Sequence, residues 1–300
     1  MKPIFVIFSF ILALLVTACS SDEQLLQTSR QEVTNMPFEN DSLILHLQQL
    51  NDSLLTYQES RGIKEFFQRL DGIAIIIADI RGAIDGAKWG SKLLGPTGSV
   101  LGAAIGGIAY SAMAAACCSS RASSDYPISQ LQVELAYVAA VKNDSLLKEQ
   151  LDKSIVCINI PQKYDLSYKV GLYHNAALKI IREDIILGYE LEEGLTPEEI
   201  IMLHSEEFRN NFIYSMNNPH VFSFDYISAN QTKEDRVIQL FLQAYQEYPS
   251  DVYDVNYLIN KYIEIIENDS QITDTQKCAV YSALSTAIFS TNYWINNESE

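Results

Sequence analysis

The sequence predicts an all-α protein: a multi-helix domain with an N-terminal tether and a Gly/Ala-rich helical hairpin. Apolar residues recur at spacings of three and four through most of the chain, which is the period of one helix face. Capping residues precede several of these runs, as at Thr196, where Pro197 and Glu199 complete a helix start. Strand signals are few. The stretch 154–161, SIVCINIP, is a short strand or an extended connector, and 73–77 is β-branched enough for either a strand or a helix.

The N-terminus has the pattern of a secretory signal. Lys2 is followed by an apolar run from Ile4 to Val16, which is too short for a membrane-spanning helix with normal flanks. The run ends in Val-Thr-Ala-Cys, which resembles the lipobox of bacterial lipoproteins. This resemblance implies that residues 1–18 are a cleaved signal peptide and that Cys19 is the lipidated first residue of the mature chain. A plain signal peptide followed by a chance cysteine is the alternative.

The residues after Cys19 bear on the location of the protein. Ser-Ser-Asp-Glu at 20–23 resembles the export tag of Bacteroidota-type surface lipoproteins. This resemblance implies a location in the outer membrane, and exposure on the outward face of that membrane stays open. Two or more acyl chains anchor a protein stably to a membrane. The expected partner is therefore a membrane, to which the N-terminal lipid attaches the protein. Residues 19–39 are polar and without periodicity, and we expect them to form a flexible tether.

The charge balance is strongly acidic. The chain has 38 acidic and 21 basic residues, a net charge of −17, and removal of residues 1–18 makes it about −18 because only Lys2 is lost. Such a surface repels nucleic acids and anionic lipid headgroups. The composition therefore excludes a nucleic-acid partner.

The region 40–120 is predicted to contain N-terminal helices and the hairpin. Asn-Asp-Ser at 40–42 offers caps for a first helix, whose apolar seam begins at Leu43. A second helical stretch begins at Gly62 and has an apolar stripe through Ile84. Charges such as Asp79 within that stretch argue against a membrane span there.

Glycines at every fourth position define the hairpin. Such a spacing leaves one bare groove on each helical arm and allows two backbones to approach closely, with residues 94–97 joining the arms. The pattern resembles glycine zippers of outer-membrane lipoproteins and of some membrane-active bacteriocins. Three alternatives remain open: a close-packed hairpin inside the helical domain, an element that inserts into a membrane or forms an oligomeric pore, and a mobile segment that awaits a partner. The glycines are Gly82, Gly86 and Gly90 in the first arm and Gly98, Gly102 and Gly106 in the second.

The region 121–300 is predicted to be a C-terminal helical domain. The polar stretch 119–127, SSRASSDYP, marks a soft boundary before it. The length of the chain after removal of residues 1–18 is typical of one large helical domain or of two poorly separated domains. The predicted helices are 128–141, 166–187, one that starts at Thr196 and runs through Met216, one after Thr232, one over 255–266, and one after Thr273.

Catalytic and metal-binding patterns are missing from the sequence. The four histidines do not fall at HxxH or HExxH spacing, and neither GxSxG nor a P-loop occurs. His204 lies near Glu206 and Glu207, but adjacent carboxylates on a helix are usually solvated. We therefore expect no catalytic residue, no metal, no cofactor and no enzyme activity. For Cys157 and Cys278, a disulfide and two buried free thiols are the alternatives.

Tyrosine is frequent, with 17 residues, and five lie within two consecutive predicted helices. Tyrosine suits contacts with carbohydrate or protein because it has an apolar face and a polar tip. The simpler interpretation is that these side chains line the edges of a helical core. The five are Tyr245, Tyr248, Tyr253, Tyr257 and Tyr262.

Two phrases carry a further resemblance. VGLYHNAALK at 170–179 and SALSTAIFSTNYW at 282–294 resemble elements of secreted or lipid-anchored Bacteroidota-type proteins with a VGxxHN helix. The resemblance implies the same compartment and a helical fold. From the residues themselves, we expect His174 and Asn175 to make a buried polar contact with the region of Ser285, Ser290 or Trp294.

Two functional hypotheses follow. The first is a lipid-anchored structural or interaction module of the cell envelope, with a protein partner or self-association through the glycine hairpin. The second is a membrane-active protein, bacteriocin-like or pore-like, that inserts the hairpin.

Overall fold

The computed structural model describes residues 38, 40–61, 73–118, 128–183, 188–218 and 231–297. The predicted signal peptide, Cys19, nearly all of the tether and the boundary stretch 119–127 lie outside these residues. The all-α prediction is confirmed: the described part of the chain is 83% helical and contains ten α-helices and no strand.

Ten helices follow one another in the described residues. They are α1 Ser42–Arg61, α2 Ile73–Cys118, α3 Gln130–Lys142, α4 Asp144–Asp152, α5 Asp165–Arg182, α6 Pro197–Leu203, α7 Glu206–Asn217, α8 Lys233–Glu247, α9 Val252–Asn268 and α10 Asp274–Asn297; two short 3₁₀ turns cover Gln162–Tyr164 and Leu191–Glu193.

Capping side chains explain where several helices begin. Ser129 and Thr232 each accept a hydrogen bond from the third backbone N–H of the helix that follows, and Thr196 does the same for α6. The prediction of one helix from Thr196 through Met216 is wrong. The chain breaks at 204–205, where Ser205 accepts a hydrogen bond from the Phe208 N–H and so begins α7.

The hairpin α2 occupies the centre of the fold. Helix α10 packs along it, and α5 packs against α2, α3 and α10. Gly171 brings α5 close to α10, because a Cβ at this position would collide with the backbone carbonyl of Ser285. Buried apolar residues from both sides of the stretch 119–127 belong to one cluster, so the elements before and after it share a core.

Helix α1 is joined to this core by an asparagine. The Asn51 side chain donates to the carbonyl oxygen of Leu240 at 2.9 Å and accepts from the Tyr262 hydroxyl at 2.8 Å. All three residues are buried, so both hydrogen-bonding groups of the amide have partners where water is excluded.

Candidate functional site

The two arms of α2 meet through their glycines. Gly82 lies opposite Gly106, and a Cβ added to either would approach the other's carbonyl oxygen far closer than 3.0 Å. Two further pairs repeat this arrangement, so no side chain larger than hydrogen fits along the contact line. These pairs are Gly86 with Gly102 and Gly90 with Gly98.

The turn between the arms lies within the predicted range 94–97. Leu94 leaves the helical conformation, and Gly95 follows with φ 57° and ψ −139°. A positive φ is strained for most residues with a Cβ, whereas glycine adopts it readily. Pro96 then begins the second arm, where its lack of an N–H is tolerated because the first turn has no intrahelical acceptor.

Charged groups of the first arm have partners inside the protein. Lys88 Nζ lies 2.7 Å from an Asp235 carboxylate oxygen of α8, and Tyr110 of the second arm donates to Asp85 at 3.1 Å. Burial raises the pKa of Asp85, although nearby Lys88 opposes this rise. Burial also disfavours the charged form of Lys88, but Asp235 and Asp85 outweigh that effect and raise its pKa. The ammonium is therefore held charged between two carboxyl groups.

A buried polar cluster joins the hairpin to α5 and α10. Asp79, on the first arm, has no exposed surface. Its Oδ2 accepts a hydrogen bond from the Ser290 hydroxyl, and the Trp294 indole N–H lies 3.4 Å from the same oxygen. His174 Nε2 is 3.7 Å from it, beyond hydrogen-bonding distance. Asp79 Oδ1 and His174 Nε2 have no hydrogen-bond partner among the described residues.

The predicted pair His174 and Asn175 lies in this cluster. Asn175 donates from Nδ2 to the Phe289 carbonyl at 2.8 Å, and its Oδ1 is 3.1 Å from His174 Nδ1. Because that amide oxygen only accepts, Nδ1 of the imidazole is assigned as the donor. Asp79 lies between His174 and two of the residues expected near it: it accepts from Ser290 and Trp294, while the His174 ring is 3.7 Å away.

Asp79 was not recognised from the sequence as part of this cluster. In the sequence alone, an acid at this position indicates only that the stretch is a poor membrane span. A signal was present, because the acid lies within the apolar run 73–80, IAIIIADI, and acids are almost never fully buried unless they are paired. The sequence contained no indication of which residue would be the partner, because Ser290 is 211 positions away.

His204 also has a partner that sequence spacing did not indicate. Its Nε2 lies 3.2 Å from Oε2 of the fully buried Glu134 on α3, while Gln130 binds the other oxygen of that carboxylate at 2.6 Å. Within the described ranges, no group of three or more His, Cys, Asp or Glu side chains is placed to hold a metal ion.

The remaining sequence candidates divide by exposure. Tyr253 is 65% and Tyr257 46% exposed, while the other three tyrosines of the set are buried. The prediction of core tyrosines therefore describes three of the five. Cys157 is exposed and Cys278 buried, and both are free thiols, so the disulfide alternative does not apply to this pair.

One described helix, Ile73–Ala115, is long and apolar enough to cross a membrane by length and composition alone. Of its most apolar window, 78% is buried inside the protein, and the core helix of a soluble protein meets the same criterion. Searches of family models, of curated proteins and of solved structures found no match to the chain. Functional inference consequently rests on the residues themselves.

Proposed function

We propose that the protein is a lipid-anchored cell-envelope protein whose helical domain is a structural or interaction module. The observation that carries this proposal is the burial of the hairpin: its glycine faces are occupied by each other, and α5 and α10 cover its sides. Anchoring through Cys19 would leave the hairpin free for this packing role.

The internal partners of the hairpin favour the module over the membrane-active alternative. Insertion would separate Asp79 from Ser290 and Lys88 from Asp235, leaving an acidic side chain and an ammonium group in hydrocarbon without these partners. Intramembrane charges are expensive even when they are partly solvated. The observation that favours the alternative is the length and apolar composition of α2.

Tryptophan fluorescence separates the two functions. The chain contains two tryptophans, and Trp294→Phe leaves Trp89 of the first arm as a single reporter. Trp89 is buried against Tyr110 and Phe208. The protein is mixed with vesicles that contain brominated lipids and an entrapped dye. If the domain is an interaction module, we expect no quenching of Trp89 fluorescence at neutral or mildly acidic pH. If the hairpin inserts, we expect strong quenching and release of the dye.

Fractionation of cells tests the anchor independently. Wild-type protein is expected in the outer-membrane fraction, with release of glycerol-linked acyl chains on chemical analysis. Cys19→Ala should lose the acyl chains and leave that fraction. An unchanged outer-membrane distribution of Cys19→Ala would contradict lipid anchoring.

A further inference from the structure

The segment 154–160 lies extended along α9, and side-chain amides hold its backbone. Asn256 Nδ2 donates to the Ile155 carbonyl at 2.9 Å, and its Oδ1 accepts from the Cys157 N–H at 2.6 Å. Asn260, one turn later, repeats the pair: it donates to the Cys157 carbonyl and accepts from the Asn159 N–H, both at 2.7 Å.

A third asparagine completes the row from α10. Asn292 Oδ1 accepts from the Ile155 N–H at 2.8 Å, and its Nδ2 is fixed by the carbonyl of Ile288. Apart from the bond from Ser154 N–H to Leu151 at the start of the segment, no backbone–backbone hydrogen bond holds residues 154–160 within the described structure. The asparagines therefore take the place of a neighbouring strand.

The spacing of the asparagines on α9 matches the spacing of the peptide groups that they bind, for a geometric reason. Four residues of an α-helix rise about 6 Å, and two residues of an extended chain span about 6.6 Å. Asparagines four apart on α9 consequently meet every second residue of an extended peptide. We call this row of Asn256, Asn260 and Asn292 the amide row.

Recognition by the amide row is nearly independent of sequence, because all five hydrogen bonds go to main-chain atoms. Sequence enters through Val156, Ile158 and Ile160, which are half-buried against the core, while the side chains of Ile155 and Cys157 are exposed. This combination of main-chain hydrogen bonds and pockets for alternate side chains is the way in which a sheet edge captures a peptide.

The surface continues where the segment leaves it. The extended segment ends at Pro161, which caps the 3₁₀ turn Gln162–Tyr164. An open cavity of about 430 Å³ begins at Asn159 and Asn260 and lies beside the next turn of α9. Tyr257 lines this cavity together with Lys261, Glu264 and Glu267. A longer extended peptide on the amide row has room to continue there.

We propose that the amide row is a peptide-binding groove in which residues 154–160 are the resident occupant, and that an extended peptide from a partner protein replaces them. The partner peptide has β-branched apolar residues at alternate positions and free N–H groups between them. It is neutral or basic, because the protein is strongly acidic. This inference rests on the proposed interaction module and names the class of its partner.

Peptide titration tests the groove. The probe is a fluorescein-labelled peptide with the sequence of residues 153–161 and serine in place of the cysteine, and the receptor is the full chain in mild detergent. Cys157→Pro removes the N–H group that donates a hydrogen bond to Asn256. The double change Val156→Ser with Ile158→Ser weakens the apolar packing of the segment against the core. Each change is expected to release the resident segment by a different means, and circular dichroism reports whether each variant remains folded.

We expect a released variant to bind the peptide at least about tenfold more tightly than wild type, because no resident segment competes. Adding Asn256→Ala or Asn260→Ala should then weaken binding by about tenfold or more, since each removes two hydrogen bonds. A peptide with proline at the central position should not bind. The matched control is Asn268→Ala, whose amide bonds only to Glu264 of its own helix.

A folded released variant that fails to bind the peptide overturns the proposal, as does binding that is insensitive to Asn256→Ala and Asn260→Ala. These results are independent of Trp89 quenching and of Cys19→Ala fractionation. Failure of the groove is therefore distinguishable from failure of the proposed envelope module.

Discussion

The carboxylate of Asp79 accepts a hydrogen bond from the hydroxyl of Ser290, which joins the first arm of the hairpin to the last helix in a fully buried site. Burying a polar group is unfavourable unless a hydrogen bond replaces its hydration, and the Ser290 hydroxyl supplies one here. The pair therefore makes the position of the hairpin sensitive to a single hydroxyl on α10.

We predict that Ser290→Ala destabilises the protein by about 1–3 kcal/mol, since it removes a hydrogen-bond partner from a buried polar side chain. Chemical denaturation measures the free energy of unfolding. Ser282→Ala is the matched control: it is also fully buried on α10, but its hydroxyl bonds only to the Cys278 carbonyl of the same helix. Equal losses in the two variants would contradict a special role for Ser290.

Gly86→Ala is predicted to lower the free energy of unfolding by about 1–3 kcal/mol, because its Cβ would meet the backbone of Gly102 and force the arms apart. Helix propensity alone favours alanine by about 1 kcal/mol. The sign of the change in unfolding free energy therefore distinguishes the collision between the arms from the effect of helix propensity. Gly107→Ala, on the second arm, is the control. Its Cβ would lie 3.3 Å from the His174 ring and 3.5 Å from the Asp79 backbone oxygen of the first arm, whereas a Cβ at Gly86 would lie far closer than 3.0 Å to the Gly102 oxygen, so Gly107→Ala should be tolerated better. Stabilisation by Gly86→Ala would contradict the close contact.

Asn175→Ala should lower the melting temperature because it leaves the Phe289 carbonyl and the His174 ring N–H without their partner in the core. The expected loss is about 1–3 kcal/mol of unfolding free energy. Differential scanning calorimetry provides the measurement, and Asn268→Ala, on the exposed surface of α9, is the comparison. An unchanged melting curve for Asn175→Ala would count against the buried contact.

Glu267→Gln is predicted to flatten the acid side of the stability profile. Burial disfavours the Glu267 carboxylate, but hydrogen bonds from Tyr281 and Lys277 outweigh this and lower its pKa below the ordinary 4.5. A lowered folded-state pKa contributes stability above pH 4.5 that is lost as the pH falls through the folded value.

The glutamine variant should accordingly be less stable than wild type at neutral pH and lose less stability on acidification. Urea denaturation across this pH range provides the measurement. Lys261 and Glu264 form an exposed pair on the same helix, and Glu264→Gln is the control, with little change expected. Parallel pH profiles for wild type and Glu267→Gln would contradict the predicted linkage.

Sequence-based prediction succeeded where the cause is local. Thr196 and Glu199 form a capping box within one turn, so the start of α6 was predictable from four adjacent residues. The break at Ser205 was missed, because the apolar spacing continues across it and a serine inside a helical pattern does not always cap a new helix.

The amide row shows the opposite case. Asn256 and Asn260 have helical spacing, but nothing near them in the sequence indicates residues 155–159 as their partner, roughly a hundred positions earlier. The same limit applied to Glu134 and His204. Side chains with long-range partners carry no local signal of their role.

By itself, the sequence determined the helical class, most of the helix starts and the four-residue glycine spacing, because capping and periodicity act within one or two turns. Tertiary structure decided the environment of the hairpin. A stripe of glycines is compatible with a protein core, a membrane or an oligomer. In the described structure the packing of α5 and α10 around it, with Asp79 bound to Ser290, buries it in the core. Burial is a property of the neighbours that a segment has in space, and those neighbours are distant in the chain.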